Sequence, residues 1–281
     1  MSRSHLYGTA VVYCSRHFQI FRKRMMRMFQ YFLDTVDTIP AGKGFAMYSP
    51  LHLAWLAFFV LFAVGCSLYY RRQDAGKRTR VRHVFACLLV GDELFKVVML
   101  CIGGNYEAAY LPLHLCSINI ILIAIHSFRP GKMLDNFLYT VCVPAATAAL
   151  LFPTWTELPF CNFMHLHSFT VHILLATYPI MLTAGGDIQP EVRCLPRCLL
   201  FLLLLAIPIY GINRLLDTNF MFLMNVDPGN PLFFFETHFG NQLIGIPVLI
   251  AAAAVIMFLP RAVYLRLRRK SVSCVSGKNG S

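Results

Sequence analysis

The sequence has few charged residues, and acidic residues are the scarcer kind. Only 14% of the 281 residues are charged, with 13 Asp and Glu against 25 Lys and Arg. Because ordinary soluble domains carry about 25% charged residues, this composition excludes an ordinary soluble protein and indicates an integral membrane protein. The basic residues fall in short clusters between apolar runs, a pattern of membrane topology, so we expect no nucleic-acid partner.

The sequence also lacks the motifs that several other classes of protein require. It contains no Gly-x-Ser-x-Gly elbow, no nucleotide-binding loop, no His-Glu-x-x-His motif and no internal repeat. Its ten cysteines are scattered without paired spacing, and several lie inside apolar runs. We therefore expect no disulfide framework, no metal site and no soluble cofactor.

Seven apolar runs are present, and each is close to the length of about 20 residues that an α-helix needs to cross a bilayer. The sequence predicts an all-α polytopic fold with three regions: an N-terminal extension and interfacial segment (1–49), a seven-helix transmembrane domain (50–260) and a basic tail (261–281). The predicted spans are 50–70, 83–103, 110–128, 134–152, 166–184, 197–216 and 241–259.

The distribution of Lys and Arg predicts the orientation of these spans. Basic residues occur after spans one, three, five and seven, whereas the alternate links 104–109, 153–165 and 217–240 contain none. Because cytoplasmic loops are enriched in Lys and Arg, we expect the N-terminus outside and the C-terminus in the cytoplasm. The membrane would be the cell membrane of a bacterium or an endomembrane of a eukaryote.

The first 28 residues do not fit this orientation, because their basic residues would lie outside. They are compatible with an interfacial amphipathic helix, since Phe18, Phe21, Met25 and Met28 follow helical spacing. An extension without regular structure, or a true start at Met26 or Met28, is the other interpretation.

Polar residues within the predicted spans cluster in their outer halves. Polar groups at membrane depth are costly and often functional. Cys116 and His172 each lie roughly 9 Å below the outer end of their spans at 1.5 Å per residue. Six residues are candidates for binding substrate or stabilising an oxyanion: His52, His114, Asn119, Asn213, Asp217 and Asn219. Three more are expected to form a buried polar network: Asp92, Glu93 and Lys96.

Helical spacing gives these residues more specific roles. Leu113, Cys116 and Asn119 are predicted to share one helix face, and Asp92 and Lys96 have the i,i+4 spacing of an ion pair. A nucleophilic Cys116 needs a base, which His172 or His52 could provide. In the alternative interpretation Cys116 is a small apolar filler. Asp217, Asn219 and Asn225 could equally order the loop 217–240.

Three segments resemble the YwaF-like integral membrane proteins, a family that includes a vertebrate branch of lipid acyltransferases. They are Leu111–Cys116 (LPLHLC), Ser49–Leu53 (SPLHL) and Thr218–Leu223 (TNFMFL). The resemblance extends from about residue 28 to 269 and agrees with seven spans. It implies that Cys116 carries the acyl group and that the substrate is a membrane phospholipid.

The first hypothesis is therefore a membrane-embedded lipid acyltransferase or transacylase with Cys116 as nucleophile and His172 as base. The second is a proton-coupled transporter or small-molecule-binding protein whose polar pocket is in the outer half of the bundle. A seven-span receptor is a third, supported only by span count and orientation.

Overall fold

The computed structural model describes residues 29–226 and 228–259, and throughout this part of the chain the regular structure is helical, with no strand. This confirms the all-α prediction. The helices are α1 (Pro50–Arg71), α2 (Ala75–Gly103), α3 (Leu115–Phe128), α4 (Lys132–Leu151), α5 (Phe163–Gly185), α6 (Leu195–Leu216), α7 (Phe233–Phe239) and α8 (Gln242–Leu259). Short 3₁₀ turns lie at Ala108–Tyr110 and Phe220–Phe222.

Six of these segments are long and apolar enough to cross a membrane: α1, α3 with its preceding turn (Ala108–Phe128), α4, α5, α6 and α8. The helix α2, at 29 residues, is also long enough, but Asp92, Glu93 and Lys96 interrupt its apolar part. The protein is therefore an integral membrane protein that crosses the bilayer several times.

The helix α5 forms the centre of the bundle. In its most apolar stretch of 18 residues, 67% of the residues are buried, whereas the corresponding share is 11% in α1, α6 and α8. It packs against α1, α2 and α4, and its side chains Phe169, Tyr178 and Met181 are fully enclosed in the core. The peripheral helices expose Leu, Ile and Val instead, as expected where lipid covers the outer surface.

Two helix starts differ from the predicted spans. The helix α2 begins at Ala75, eight residues before the predicted position, because the Asp74 carboxylate caps it by accepting from the Lys77 N–H. The helix α3 begins only at Leu115, since Pro112 lies in an irregular segment between the 3₁₀ turn and the helix. The prediction that Leu113 shares a helix face with Cys116 is therefore wrong, and Cys116 lies in the first helical turn.

The helix α4 contains Pro144, which cannot donate a backbone hydrogen bond. The chain remains helical there by adopting a π-helical segment at Leu138–Cys142 immediately before the segment Val143–Leu151. The wider π turn leaves Pro144 in the first turn of the segment that follows, a position where the missing N–H costs little.

Residues 29–49 form turns that pack on the link before α5, as expected for a loop leading into the membrane. The Asn162 amide donates to the carbonyls of Tyr31 and Asp34, and the Phe163 N–H donates to Phe32 O. The predicted amphipathic helix, the alternative start sites and the basic tail lie outside the described residues and stay predictions.

Candidate functional site

Two of the histidines selected from the sequence have both ring nitrogens engaged. His52 Nδ1 accepts from the Tyr48 N–H at 2.9 Å, and its Nε2 donates to Leu150 O at 2.7 Å. His165 Nε2 accepts from Trp55 Nε1 at 3.1 Å, and its Nδ1 donates to Leu158 O at 3.1 Å. These contacts join separate parts of the chain, so both rings stabilise the fold and have no free nitrogen for proton transfer.

His172 has a different environment. Its Nδ1 lies 2.6 Å from Ser168 O in the preceding turn of α5. The ring stacks on Trp155 with centroids 5.3 Å apart and an interplanar angle of 11°. Its Nε2 makes no hydrogen bond with any described residue. Because the Nδ1 contact fixes the tautomer with the proton on Nδ1, Nε2 is an acceptor that is available for chemistry.

Cys116 lies in the first turn of α3, two residues after His114 at the N-cap position. It packs beside the apolar core, and within the described part of the chain its hydrogen-bonding contact is the adjacent Ser117, with no hydrogen bond to a histidine. Lys96 and Glu93 of α2 lie within electrostatic range of the thiol. The structure therefore places Cys116 next to charged groups but without direct contact with His172.

A cluster of charged and polar side chains fills the space between α2, α3 and α5. Lys96 Nζ lies 2.5 Å from Glu93 Oε1, with 9% and 15% of these side chains exposed. Ser117 Oγ donates to the same Glu93 oxygen at 3.1 Å. The expected pairing of Lys96 with Asp92 does not form, because Asp92 faces α5 and pairs there with His167. The Asp92 Oδ2 to His167 Nδ1 distance is 3.0 Å.

Several buried polar atoms in this region have no hydrogen-bond partner among residues 29–226 and 228–259. Asp92 Oδ2 and His167 Nδ1 are close, but their orientation does not meet hydrogen-bond geometry, and His167 Nε2 is 3.9 Å from Glu93 Oε2. The Oδ1 of Asn119 is buried without a partner one turn below Cys116. Since buried polar groups are nearly always hydrogen-bonded, unpaired groups on both α3 and α5 indicate a position where water or a ligand completes the network.

His114 connects this region to the loop after α6. Its Nδ1 accepts from the Met221 N–H at 3.4 Å, and its ring contacts Phe220 edge-on with centroids 5.2 Å apart. Met221 and Phe222 both have positive φ, at 59° and 55°. A backbone held in this conformation is strained for residues with side chains, so the contact with His114 is part of a constrained cover over the start of α3.

The predicted site residues of that loop serve its own conformation. Asn213 Oδ1 accepts from Thr218 Oγ1 and the Phe220 N–H, and its Nδ2 donates to Phe220 O. Asn219 forms a similar set of bonds to Asn225. Asp217 ends α6 in the left-handed conformation with φ of 53°. These residues therefore order the loop, the alternative considered from the sequence.

A second polar cluster, which was not predicted from the sequence, lies near the opposite end of the bundle. The buried His126 lies 2.9 Å from Tyr178 Oη through Nδ1 and 2.7 Å from Asp135 Oδ1 through Nε2. The three residues belong to α3, α5 and α4. A histidine inside an apolar run was the available signal, but its partners lie on two other helices.

No group of three or more potential ligands that could hold a metal ion occurs among the described residues, 29–226 and 228–259.

The helical bundle, its apolar outer surface and its enclosed polar clusters together define a polytopic membrane protein with a polar interior. A comparison with family models matches the TMEM164 family over residues 47–263, most of the chain, and the protein belongs to that family. No curated protein and no solved structure matches the sequence.

Proposed function

We propose that the protein is a membrane-embedded lipid acyltransferase or transacylase in which Cys116 attacks a phospholipid ester. The observation that carries the proposal is the position of Cys116 in the first turn of α3, beside the buried Lys96, Glu93 and Ser117. The nearby Lys96 favours the thiolate, the nucleophilic form of cysteine, but burial of the sulfur opposes it more strongly, so the attack needs a base that takes the thiol proton.

His172 is the proposed base, because its Nε2 has no partner among the described residues while His52 and His165 are fully engaged. The proposal requires His172 Nε2 to reach the Cys116 thiol directly or through one water molecule. His172 takes the thiol proton, the sulfur attacks the ester carbonyl and the carbon–oxygen bond breaks. The lysophospholipid leaves with that proton.

The second half of the cycle reverses these roles. A hydroxyl of the acceptor lipid loses its proton to His172 and attacks the thioester carbonyl. The carbon–sulfur bond breaks, and the sulfur regains the proton. The acyl chain passes from one lipid to another without a soluble cofactor.

Two kinds of donor near Cys116 suit the developing oxyanion. The N-cap residue His114 forms no side-chain cap, so the first N–H groups of α3 have no intrahelical partner. Asn119 shares a face with Cys116 at i,i+3, and its side-chain Nδ2 amide is the proposed donor there. Asn213 is less suitable, since its amide is bonded within the loop.

The proposed topology has seven spans with the N-terminus outside and the C-terminus in the cytoplasm. The span added to the six others is α2, the second in chain order. Its charged residues are compatible with membrane depth because Lys96 pairs with Glu93 and Asp92 faces His167. The basic links then lie on the cytoplasmic side, and Cys116 lies near the outer surface.

The test uses purified protein in liposomes with a phospholipid carrying a labelled acyl chain and an unlabelled lysophospholipid acceptor. We expect Cys116→Ala and Cys116→Ser to abolish transfer, and intact-mass analysis of the wild type to show a thioester. Cys142→Ala is the matched control, because Cys142 is buried in the core with its sulfur 3.5 Å from Leu175 O. Transfer at the wild-type rate in Cys116→Ala would refute the nucleophile, whereas full activity in His172→Gln would refute only the base.

A second candidate is a proton-coupled transporter or small-molecule binder. The close contact of Asp92 with His167, whose facing atoms form no hydrogen bond among the described residues, favours it. Intramembrane carboxylate and histidine groups are typical of proton pathways. In this case Asp92→Asn would abolish substrate-dependent proton uptake into liposomes, and Cys116→Ala would leave the uptake unchanged.

A further inference from the structure

A second candidate binding site lies at the other end of α2, where the link after α1 meets the end of α5. Its framework is the Asp187 carboxylate. Gly186, with φ of 88°, ends α5 and turns the chain so that Asp187 reaches back to α1. Tyr70 Oη donates to Asp187 Oδ2 at 2.5 Å, and Arg78 Nη1 donates to Oδ1 at 2.7 Å.

Close packing holds this framework in place. A Cβ atom at Gly185 would lie 2.6 Å from Tyr70 Cδ1, so only glycine lets the ring lie against the end of α5. Arg78 also lies over the Tyr70 ring at 5.2 Å. Both carboxylate oxygens of Asp187 are thus occupied by fixed donors.

The two arginines here differ in how many of their donors are used. Arg78 donates to four acceptors: Gln73 O, Arg71 O, Gly185 O and Asp187 Oδ1. Arg82 makes one hydrogen bond, from Nη2 to Thr79 Oγ1 at 3.0 Å. Its Nη1 is 3.8 Å from Asp187 Oδ2, beyond hydrogen-bond distance, and its Nε is buried with no partner among the described residues.

Arg82 is also one of the residues that line a cavity beside Asp187. The cavity has a volume of about 250 Å³ and is lined by Gln73, Ala75, Arg78, Thr79, Arg82 and Asp187. This is several times the volume of one water molecule, about 30 Å³. Two guanidinium groups face one carboxylate. The end of α1, the link and the start of α2 add Arg71, Arg72, Arg80 and Lys77, the last of which pairs with Asp74. The site therefore has an excess of positive charge and unsatisfied N–H groups.

We propose that this cavity binds a phosphate group, with Arg82 as the principal donor and Arg78 held in place by Asp187. A guanidinium binds phosphate oxygens through paired N–H groups. Phosphate oxygens are thus acceptors of the kind that the unpaired Arg82 donors lack. The phosphate belongs either to the headgroup of an anionic lipid or to a soluble phosphate compound. Arg82 and Lys96 are 14 residues apart on α2, about 21 Å along the helix, so this site is separate from that of Cys116.

The experiment measures binding to the purified full chain in two arms. In the first, the protein in nanodiscs of phosphatidylcholine, with or without phosphatidic acid, is examined by native mass spectrometry for retained lipid. In the second, inorganic phosphate is titrated into the detergent-solubilised protein at constant ionic strength. The variants are Arg82→Gln, Arg82→Lys and Arg80→Gln; Arg80 is exposed and lies outside the cavity.

We expect Arg82→Gln to weaken binding at least tenfold and Arg80→Gln to change it less than twofold. Arg82→Lys keeps the charge but removes the planar fork, so it should give an intermediate loss, and it serves as the test if Arg82→Gln does not fold. A response in the nanodisc arm alone identifies a lipid headgroup, and a response in the phosphate arm alone identifies a soluble compound. Equal losses in Arg82→Gln and Arg80→Gln, or no binding in either arm, would overturn the proposal.

Discussion

The buried pair of Lys96 and Glu93 gives a quantitative test of how the charged cluster is stabilised. Among the described residues, Lys96→Met leaves Glu93 with the Ser117 hydroxyl as its only hydrogen-bond donor and with His167 Nε2 3.9 Å away. Removing one partner of a buried ion pair costs about 3–5 kcal/mol. Because 15% of the Glu93 side chain is exposed, we expect a value near the lower end, about 3 kcal/mol.

The double variant separates the pair from its surroundings. Glu93→Gln alone leaves Lys96 buried without its carboxylate, so it should destabilise the protein similarly. Lys96→Met combined with Glu93→Gln removes both charges, and neutral replacements of a buried pair are often tolerated. The double variant should therefore lose much less than the sum of the single losses, which gives a coupling energy of about 2 kcal/mol or more.

The assay is reversible unfolding in mixed detergent micelles, followed by far-ultraviolet circular dichroism. The matched control is Lys77→Met, which breaks another i,i+3 pair of the same helix. The Lys77 and Asp74 side chains are 60% and 61% exposed, so no measurable loss is expected. If Lys96→Met is as stable as the wild type, or if the single losses simply add, the charges are solvated and the buried-pair argument fails.

Two further predictions concern the loop after α6 and the link before it. Asn213→Ala removes the hydrogen bonds that fix Thr218 and Phe220, so it should lower the free energy of unfolding by about 1–3 kcal/mol. It should also speed proteolysis between α6 and α7. Unchanged proteolysis would contradict the ordering role. The hydrogen bond from Lys132 lowers the pKa of Glu191 below its ordinary value of 4.5. This contribution to stability is present above pH 4.5 and is lost as the pH falls through the lower folded pKa, so the difference in thermal stability between the wild type and Glu191→Gln should vanish in acid.

The hydropathy of the sequence was sufficient to find the six helices that are long and apolar enough to cross a membrane, because each needs its own apolar run. It could not find the start of α3, since the segment around Pro112 is as apolar as the helix that follows. It also missed the first two turns of α2, where the Asp74 cap rather than apolar side chains begins the helix.

The polar partners were harder to predict than the helices. Glu93 and Asp92 are both one turn from Lys96, and only the rotation of α5, which brings His167 to Asp92, decides which of them pairs with the lysine. The contact of His126 with Tyr178 and Asp135 likewise depends on three helices packing together. Sequence spacing within one helix contains no information about these rotations.

The aromatic contacts around His172 have a consequence for optical spectroscopy. The protein has only two tryptophans, and both lie against Phe169, Trp55 stacked at 4.8 Å and Trp155 edge-on at 5.3 Å. Trp155 also stacks on the His172 ring. Because an imidazolium quenches an excited indole, the fluorescence of Trp155 depends on the charge of the His172 ring stacked on it, whereas Trp55 is hydrogen-bonded to His165.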